Sequence, residues 1–198
     1  MKIIISGGAG FIGSHLCERL MDAGHEIIVI DNLSSGFISN LDTVYSDITF
    51  INKAIEDFDF TGMSNIDAVV HLAAQASVQL SINNFYKSSR TNILSSIKII
   101  DFCSQNNIPL VYASSSAIYG ALNFGDDELN NFDLLSPYAT DKFTLELYAK
   151  VANIHSNLSS IGLRFFNVYG PRQDPNSNYS GVISIFINNM LSNKDIKI

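Results

Sequence analysis

The chain has 198 residues, of which 46% are hydrophobic, so it is long enough for one domain with a substantial core. Its net charge of −7 argues against nucleic acid or an acidic membrane surface as a partner. Two isolated cysteines, Cys17 and Cys103, indicate reduced thiols in a cytoplasmic protein rather than a disulfide framework. We expect no signal peptide, because Met1 leads straight into a strand, and no apolar run approaches membrane-spanning length.

The beginning of the chain has the pattern of a βαβ unit. An apolar strand, Lys2–Ile5, leads into a loop whose glycines stand three residues apart, at Gly7, Gly10 and Gly13. Apolar residues then recur at the spacing of one helix face, at Ile12, Leu16 and Leu20. A second strand, Glu26–Ile30, ends on Asp31. This order of strand, glycine loop, helix, strand and acid is typical of a dinucleotide-binding site.

Each part of this unit has a physical reason. Gly7 can take the positive φ of a tight turn, and Gly10 lets the backbone approach a pyrophosphate. Gly13 allows the helix to pack closely, and the helix start offers N–H groups and a positive dipole end to phosphates. Asp31 can accept hydrogen bonds from both ribose hydroxyls and would repel a 2′-phosphate, which favours NAD over NADP. A glycine-rich turn without a ligand is the alternative, which this context disfavours.

The rest of the chain alternates strands with helices. Phe37–Ser46 is predicted to be irregular, and the small residues Ala73 and Ala74 follow the fourth strand, where a cofactor can lie against the backbone. Further strands are predicted at Ile48–Asn52, Ala68–Leu72, Pro109–Ala113 and Ile161–Phe165, and helices at Thr91–Asn106, Tyr138–Asn153 and Val182–Ser192. The fold class is therefore α/β, a Rossmann-type doubly wound parallel sheet with helices on both faces.

A second pattern concerns proton transfer. Tyr138 and Lys142 are four residues apart, so they lie on one face of a helix. A phenol is a weak base at neutral pH, and a neighbouring ammonium lowers its pKa toward the working range. A serine of the run Ser114–Ser116, at the end of the preceding strand, can share the hydrogen bond of a substrate hydroxyl. After a dinucleotide fingerprint, this set indicates catalysis, whereas a tyrosine and a lysine at this spacing alone would not.

These motifs resemble those of the extended short-chain dehydrogenases, and within them the NAD-dependent nucleotide-sugar epimerases and dehydratases. The resemblance extends along nearly the whole chain. It is carried by Gly7–Gly13, Asp31–Gly36, His71–Val78, Ser114–Gly120, Ser136–Lys142 and Arg164–Arg172.

The resemblance implies a role for each matching position. Ser115 matches the catalytic serine or threonine, Tyr138 the base, and Lys142 the lysine that holds the ribose. The implied cofactor is NAD, bound by Gly7, Gly10, Phe11, Ile12, Gly13, Asp31, Asn32, Ser35, Gly36, Ala54, Ile55, Leu72, Ala73, Ala74, Gln75, Asn92, Ser114, Tyr138, Lys142 and Phe166. The implied UDP-sugar contacts are Ser77, Ser115, Ser116, Tyr138, Asn167, Arg172 and Val182, the last within the stretch from Asn176 to Ile183.

One local comparison points to the reaction. Dehydratases of the family carry an Asp-Glu pair where this chain has Ser116 and Ala117, and the related decarboxylases use a glutamate at the Ala117 position. Neither side chain can act as a carboxylate acid or base. The serine run resembles that of UDP-sugar 4-epimerases, acting on UDP-glucose or UDP-N-acetylglucosamine, and the sequence does not separate these two sugars from UDP-glucuronate. The alternatives are another dehydratase or decarboxylase of the family, or a non-catalytic NAD-binding protein.

The resemblance also has organisational consequences. Family members extend roughly another hundred residues, so we expect residues 1–175 to form the NAD-binding domain and 176–198 to begin a truncated substrate-binding region. A homodimer is expected through a four-helix bundle of the 91–106 and 138–153 helices. Ala54 stands where the family has an acid that contacts adenine. His71 is predicted to be a packed core residue, and the histidines lack the spacing of metal ligands.

Overall fold

The described residues contain six strands in one parallel sheet, whose order is β3-β2-β1-β4-β5-β6. The strands are β1 Lys2–Ser6, β2 Glu26–Asp31, β3 Thr49–Asn52, β4 Ala68–His71, β5 Leu110–Ser115 and β6 Ser160–Phe165. The computed structural model describes residues 1–122, 132–174 and 181–196. The strand order reverses between β1 and β4, as in a doubly wound dinucleotide-binding sheet. The predicted fold class is confirmed.

Helices flank this sheet. In the described ranges they are α1 Phe11–Asp22, α2 Val78–Asn83, α3 Phe85–Ser89, α4 Ser95–Asn106, α5 Pro137–Ser156 and α6 Val182–Leu191. The start of α5 is set by the Ser136 side chain, which accepts a hydrogen bond from the Ala139 N–H, and by Pro137 in the first turn. Both α4 and α5 end at an asparagine in the left-handed conformation, Asn107 and Asn157.

Alternating side chains of the strands supply two hydrophobic layers. Ile3 and Ile5 of β1 pack on the side of α1, together with Cys17. Ile4 packs on the opposite side, in a cluster that includes Ile99 of α4 and Leu145 of α5. Because successive residues of a strand point to opposite faces, an almost uninterrupted apolar run fills both layers. The sheet is therefore covered on both faces, as predicted.

The segment before α4 differs from the prediction. Two short helices, α2 and α3, occupy residues that were assigned no element, and Arg90–Leu94 forms a π-helical turn between α3 and α4. The buried face predicted for this helix contained Ile93, Ile97 and Ile100, whereas the most deeply buried isoleucine of α4 is Ile99. A π turn inserts one extra residue, so it shifts the face that a continuous α-helix would bury. The segment predicted to be irregular, Phe37–Ser46, contains one 3₁₀ turn, Ile38–Leu41.

Candidate functional site

A cavity of about 450 Å³ lies at the carboxyl ends of the strands, beside β1 and β4, the neighbouring strands at which the strand order reverses. The glycine loop and the first turn of α1 form one wall, through Gly7, Gly10, Phe11, Ile12 and Gly13. Among the described residues, no side chain caps this helix end. The position and the open helix start are those at which doubly wound sheets bind dinucleotides.

The glycines of this wall leave no room for side chains. Gly7 has φ +74°, and a Cβ there would lie 2.6 Å from the Ala73 nitrogen. A Cβ on Gly13 would lie 2.2 Å from the Gly7 carbonyl oxygen. Both distances are too short for real atoms, so the loop can take this shape only with glycine at these two positions. Gly13 thus packs on the glycine loop itself.

Asp31 stands at the end of β2 and lines the cavity together with Asn32, Ser35 and Gly36. Its two carboxylate oxygens accept backbone N–H groups, from Ala9 at 2.9 Å and from Leu33 at 2.8 Å. Burial raises the pKa of Asp31, and the two backbone hydrogen bonds oppose that rise. The carboxylate therefore couples the end of β2 to the glycine loop and faces the same cavity.

The wall after β3 includes the predicted positions Ala54 and Ile55, and also Lys53 and Glu56. Glu56 accepts a hydrogen bond from the Thr91 hydroxyl at 3.3 Å, and its carbonyl oxygen accepts one from the Lys98 ammonium. Sequence reasoning missed Lys53 and Glu56 because it sought a single acid at one aligned position. Their place directly after a predicted strand was the available signal, since parallel strands end at one edge.

Ser115, Tyr138 and Lys142 converge at the other side of the cavity. Ser115 ends β5, and its hydroxyl hydrogen-bonds the phenol of Tyr138, which lies in the first turn of α5. The Lys142 ammonium lies 5.9 Å from the centre of the Tyr138 ring and donates to the Ala113 carbonyl oxygen at 2.8 Å. A strand end and a capped helix start therefore bring together a hydroxyl, a phenol and an ammonium.

The electrostatics of this trio differ from the sequence-based expectation. Burial raises the pKa of Tyr138, the hydrogen bond from Ser115 lowers it, and Asp141 raises it. We predicted a net lowering by Lys142, and this was wrong for the chain by itself, because desolvation of the phenolate is the larger effect. Burial also lowers the pKa of Lys142, to about 8, so its ammonium is only moderately favoured at neutral pH.

An ion pair fixes the strands beside the trio to α5. Arg164 of β6 donates to both carboxylate oxygens of Glu146, at 2.8 and 2.6 Å. Glu146 also accepts a hydrogen bond from the hydroxyl of Ser114, a residue that lines the cavity. Glu146 stands one turn after Lys142 on the same helix face, so helical spacing was the signal that sequence reasoning left unused.

His71 is a fully enclosed residue at the end of β4, as predicted. The Ser96 hydroxyl donates to the Asn92 carbonyl oxygen, so it accepts from Nε2 of His71, and Nδ1 accepts from Ser6. Ser6 in turn accepts the backbone N–H groups of the cavity residues Leu72 and Ala73. Burial lowers the pKa of His71 to about 3, so this histidine is a neutral link within the core.

Several predicted site residues lie outside the cavity lining. Ser77 caps α2, Val182 is exposed at the start of α6, and Ser116 begins the turn after β5. The predicted stretch Asn176–Ile183 is described only from Gly181 on, and its residues 176–180 lie outside the described residues. The predicted site residues that do not line the cavity are Gln75, Ser77, Asn92, Ser116, Arg172 and Val182.

Arg172 and Asn92 have protein partners instead. Arg172 forms an ion pair with Glu18 of α1, and its Nη1 is buried without a hydrogen-bond partner in the described chain. Asn92 is buried and holds the backbone of Gln75, with its Oδ1 accepting at 2.8 Å and its Nδ2 donating at 3.2 Å. In this structure Arg172 secures the loop after β6 to α1, and Asn92 secures the loop after β4.

The described part of the chain lacks two other kinds of site. It contains no helix long and apolar enough to cross a membrane. Within the same ranges, no three histidine, cysteine or acidic side chains are grouped so that they could hold a metal ion. Both cysteines are buried, and burial raises the pKa of each thiol to about 12, so neither is a reactive thiolate.

Comparison with known proteins agrees with this geometry. Residues 3–198 match the model of the NAD dependent epimerase/dehydratase family. A protein of Methanocaldococcus jannaschii named as a putative UDP-glucose 4-epimerase is 38% identical over an alignment of 198 positions, which covers 97% of this chain and 64% of that protein. The chain thus spans about two thirds of the length of such relatives.

Solved structures of the same kind superpose closely. A UDP-N-acetylglucosamine 4-epimerase from Methanobrevibacter ruminantium in complex with UDP-N-acetylmuramic acid has a TM-score of 0.94 and 40% identity, covering 100% of this chain and 64% of that one. A UDP-glucose 4-epimerase from Thermotoga maritima with UDP-glucose has a TM-score of 0.91 and 33% identity, with coverages of 100% and 65%. A third, from Thermus thermophilus in complex with NAD, has a TM-score of 0.86 and 34% identity, with coverages of 99% and 64%.

Proposed function

The chain belongs to the NAD dependent epimerase/dehydratase family, and we propose that it epimerises a UDP-sugar at C4 with NAD as cofactor. The observation that carries this proposal is the meeting of the glycine loop with Ser115, Tyr138 and Lys142 in one cavity. A cofactor held along the glycine loop would place its reactive end beside a group able to move a proton. The protein then supplies binding, orientation and proton transfer, while the cofactor carries the hydride.

The residues present fit NAD. The glycine cradle leaves space for a pyrophosphate against the backbone at the start of α1, and Asp31 stands where the adenosine ribose would lie. The carboxylate of Asp31 favours a ribose with free hydroxyls over a 2′-phosphate. Ala54, Ile55 and Glu56 would border the adenine, and Leu72, Ala73 and Phe166 the nicotinamide end. Bound NAD⁺ supplies the redox chemistry, because it can accept a hydride from C4 and return it to the other face.

Tyr138 would take the proton of the sugar 4-hydroxyl, with Ser115 bridging the two oxygens. Ser115 already hydrogen-bonds the phenol and thereby favours the phenolate. A cation in the cavity would oppose the effect of burial and lower the pKa of Tyr138, since positive charge favours the phenolate. Lys142 would hold the ribose and retain its charge beside Tyr138. The 4-keto sugar then rotates, and Tyr138 returns the proton to the oxygen of the other epimer.

The choice of epimerisation over elimination rests on side-chain chemistry. Ser116 and Ala117, which follow Ser115, carry no carboxyl group to remove a proton or protonate a leaving hydroxyl. The relatives named above act on or bind UDP-glucose, UDP-N-acetylglucosamine or UDP-N-acetylmuramic acid. UDP-glucose and UDP-N-acetylglucosamine are therefore the proposed substrates. Asn167, which lines the cavity, is the proposed sugar contact.

The proposed function also implies a domain organisation and a dimer. Residues 1–175 would bind NAD and carry the catalytic side chains, and residues 176–198 would belong to the sugar-binding region. A homodimer is supported by α5, which exposes a row of apolar side chains: Leu147, Tyr148, Val151 and Ile154. The surface of α4 supports it less, because Asp101, Gln105 and Asn106 are the exposed residues there. Exposed apolar side chains of α2 and α3, such as Ile82 and Phe85, would extend this dimer surface.

The proposal is tested by incubating the chain with NAD⁺ and with UDP-glucose or UDP-N-acetylglucosamine in separate reactions. The sugars are separated by chromatography, and retained NAD is measured after denaturation. We expect the 4-epimer of one substrate to accumulate, and Tyr138→Phe to abolish it while NAD is still retained. Retention of NAD without any epimer would overturn the catalytic proposal in favour of a non-catalytic NAD-binding protein. Failure to retain NAD would overturn the proposed cofactor site.

A further inference from the structure

Asp141 is a buried carboxylate to which the proposed mechanism gives no role. It lies on α5 between Tyr138 and Lys142, and only 3% of its surface is exposed. Burying a carboxylate costs several kcal/mol unless other groups compensate the charge. A carboxylate retained at this position of the helix therefore needs a physical explanation.

Part of the explanation is a hydrogen-bond chain. Asp141 accepts a hydrogen bond from Nδ2 of Asn92 at 3.1 Å, and its carboxylate is also hydrogen-bonded by the Ser89 side chain. Asn92 simultaneously holds the N–H and the carbonyl oxygen of Gln75. The loop after β4, whose residues Ala74 and Ala76 line the cavity, is thus tied through Asn92 to the helix that carries Tyr138 and Lys142.

Hydrogen bonding alone does not require a charge. A serine or asparagine at position 141 could also accept the Asn92 amide proton, at a smaller desolvation cost. The group that does require a negative neighbour is the ammonium of Lys142, a residue that is 5% exposed. Asp141 and Lys142 are adjacent in sequence, and the charge of each favours the ionised form of the other, against the larger effect of burial.

We propose that Asp141 is a positioning residue of this site: its carboxylate joins the cavity loop to the catalytic helix through Asn92 and places a negative charge next to Lys142 and Tyr138. This inference rests on the proposed function, since the roles of Tyr138 and Lys142 come from it. Asp141 touches neither substrate nor cofactor in this account. It acts through Asn92 and through its electrostatic effect on its two neighbours.

The surroundings leave Asp141 as the dominant charge acting on this pair. The charge of Asp141 acts on Lys142 and Tyr138 of its own helix, and from the α3–α4 segment the neutral side chains of Ser89 and Asn92 hydrogen-bond it. On the side of β4, His71 lies near Lys142 and is neutral, because burial keeps its pKa at about 3. On the side of β5 the neighbour of Tyr138 is the Ser115 hydroxyl.

The charge of Asp141 has a predictable effect on the pKa values of Lys142 and Tyr138. Asp141 raises the pKa of Lys142 and also raises the pKa of Tyr138. Removing its charge should therefore lower both pKa values. The phenol and the ammonium together set the two limbs of the rate profile, and the apparent pKa values of these limbs belong to the pair. Both limbs should move to lower pH together, which a purely structural defect would not produce.

The test compares Asp141→Asn and Asp141→Ser, which keep an acceptor for Asn92 but carry no charge, with Asp141→Glu, which keeps the charge. Asp101→Asn, the same chemical change at an exposed helical site, is the matched control. The first readout is the ultraviolet phenolate titration of Tyr138, taken as the difference between each protein and its Tyr138→Phe partner. The second is the pH profile of kcat for epimerisation.

We expect the Tyr138 titration and both limbs of the profile to move to lower pH in the Asn and Ser variants. Asp141→Glu and Asp101→Asn should both leave the Tyr138 titration and the two limbs where they are in the unaltered protein. An unmoved Tyr138 titration in folded Asn or Ser variants would overturn the proposal. If the unaltered chain forms no epimer, the proposed function fails, whereas the phenolate titration still decides the role of Asp141.

Discussion

The Lys142 ammonium donates to the Ala113 carbonyl oxygen at 2.8 Å while lying 5.9 Å from the centre of the Tyr138 ring. This single bond fixes a flexible side chain between the end of β5 and the phenol. Lys142→Met should remove both the anchor and the cation, so we expect kcat to fall by a factor on the order of 10² or more. Steady-state kinetics of the variant test this prediction. An unchanged kcat would show that Lys142 takes no part in proton transfer.

The glycine cradle allows a prediction with a clear steric cause. Gly13→Ala would put a Cβ 2.2 Å from the Gly7 carbonyl oxygen, so the loop must move and NAD affinity should fall at least tenfold. Gly24→Ala is the control, because Gly24 has φ +80° but no atom within 4 Å of an added Cβ. That change should cost about 1 kcal/mol of stability and leave NAD affinity unaltered. Calorimetric titration with NAD⁺ measures the NAD affinity of the two variants. An equal loss of affinity in both would contradict the assigned role of Gly13.

His71 gives a prediction for stability at acid pH. Its pKa is about 6.5 in an unfolded chain and about 3 in the folded protein, so between these values the unfolded chain binds the extra proton. Its contribution to the free energy of unfolding is therefore complete above pH 6.5 and declines as the pH falls toward 3, by up to about 1.4 kcal/mol per pH unit. His71→Gln should flatten this part of the curve.

Denaturant unfolding at several pH values measures that slope. His155→Gln, at an exposed histidine of α5, serves as the control and should keep the slope of the unaltered protein. The same slope in His71→Gln and in the unaltered protein would contradict a neutral, buried His71.

The apolar row on α5 predicts how the chain associates. Leu147 is 47% exposed and Val151 50%, which is costly for two apolar residues of one helix face unless a partner covers them. Leu147→Asp should convert the proposed homodimer into a monomer in light scattering. Met190→Asp, at an exposed apolar residue of α6, should leave the dimer intact. A monomeric unaltered chain, or a Leu147→Asp dimer, would contradict this interface.

The parts of the site that sequence could predict are those with local spacing. The glycines of the first loop, Asp31 at the end of β2, and the pair Tyr138 and Lys142 each follow from a fixed number of residues within one element. Their places in one cavity follow from the rule that parallel strands end at a common edge. The structure brings these residues to one cavity, because few backbone arrangements satisfy a strand, a glycine turn and a helix in that order.

The parts that sequence could not predict depend on partners distant along the chain. Asn92, predicted to contact the cofactor, also binds Gln75 and Asp141, and the π turn that carries it has no simple sequence pattern. Arg172, predicted to contact the sugar, pairs with Glu18 of α1, and sequence reasoning did not find that ion pair. The raised pKa of Tyr138 was missed because burial, unlike spacing, cannot be read from neighbouring residues.

The most direct test of the central claim follows the hydrogen at C4 of the sugar. The chain is given NAD⁺ and UDP-glucose labelled with deuterium at C4, and the product is analysed by NMR and mass spectrometry; UDP-N-acetylglucosamine labelled at the same position is treated likewise. The account predicts a 4-epimer that retains deuterium at C4, and no epimer from Tyr138→Phe. An epimer whose C4 carries hydrogen from the solvent would contradict hydride transfer, and the absence of an epimer from both substrates would contradict the proposed activity.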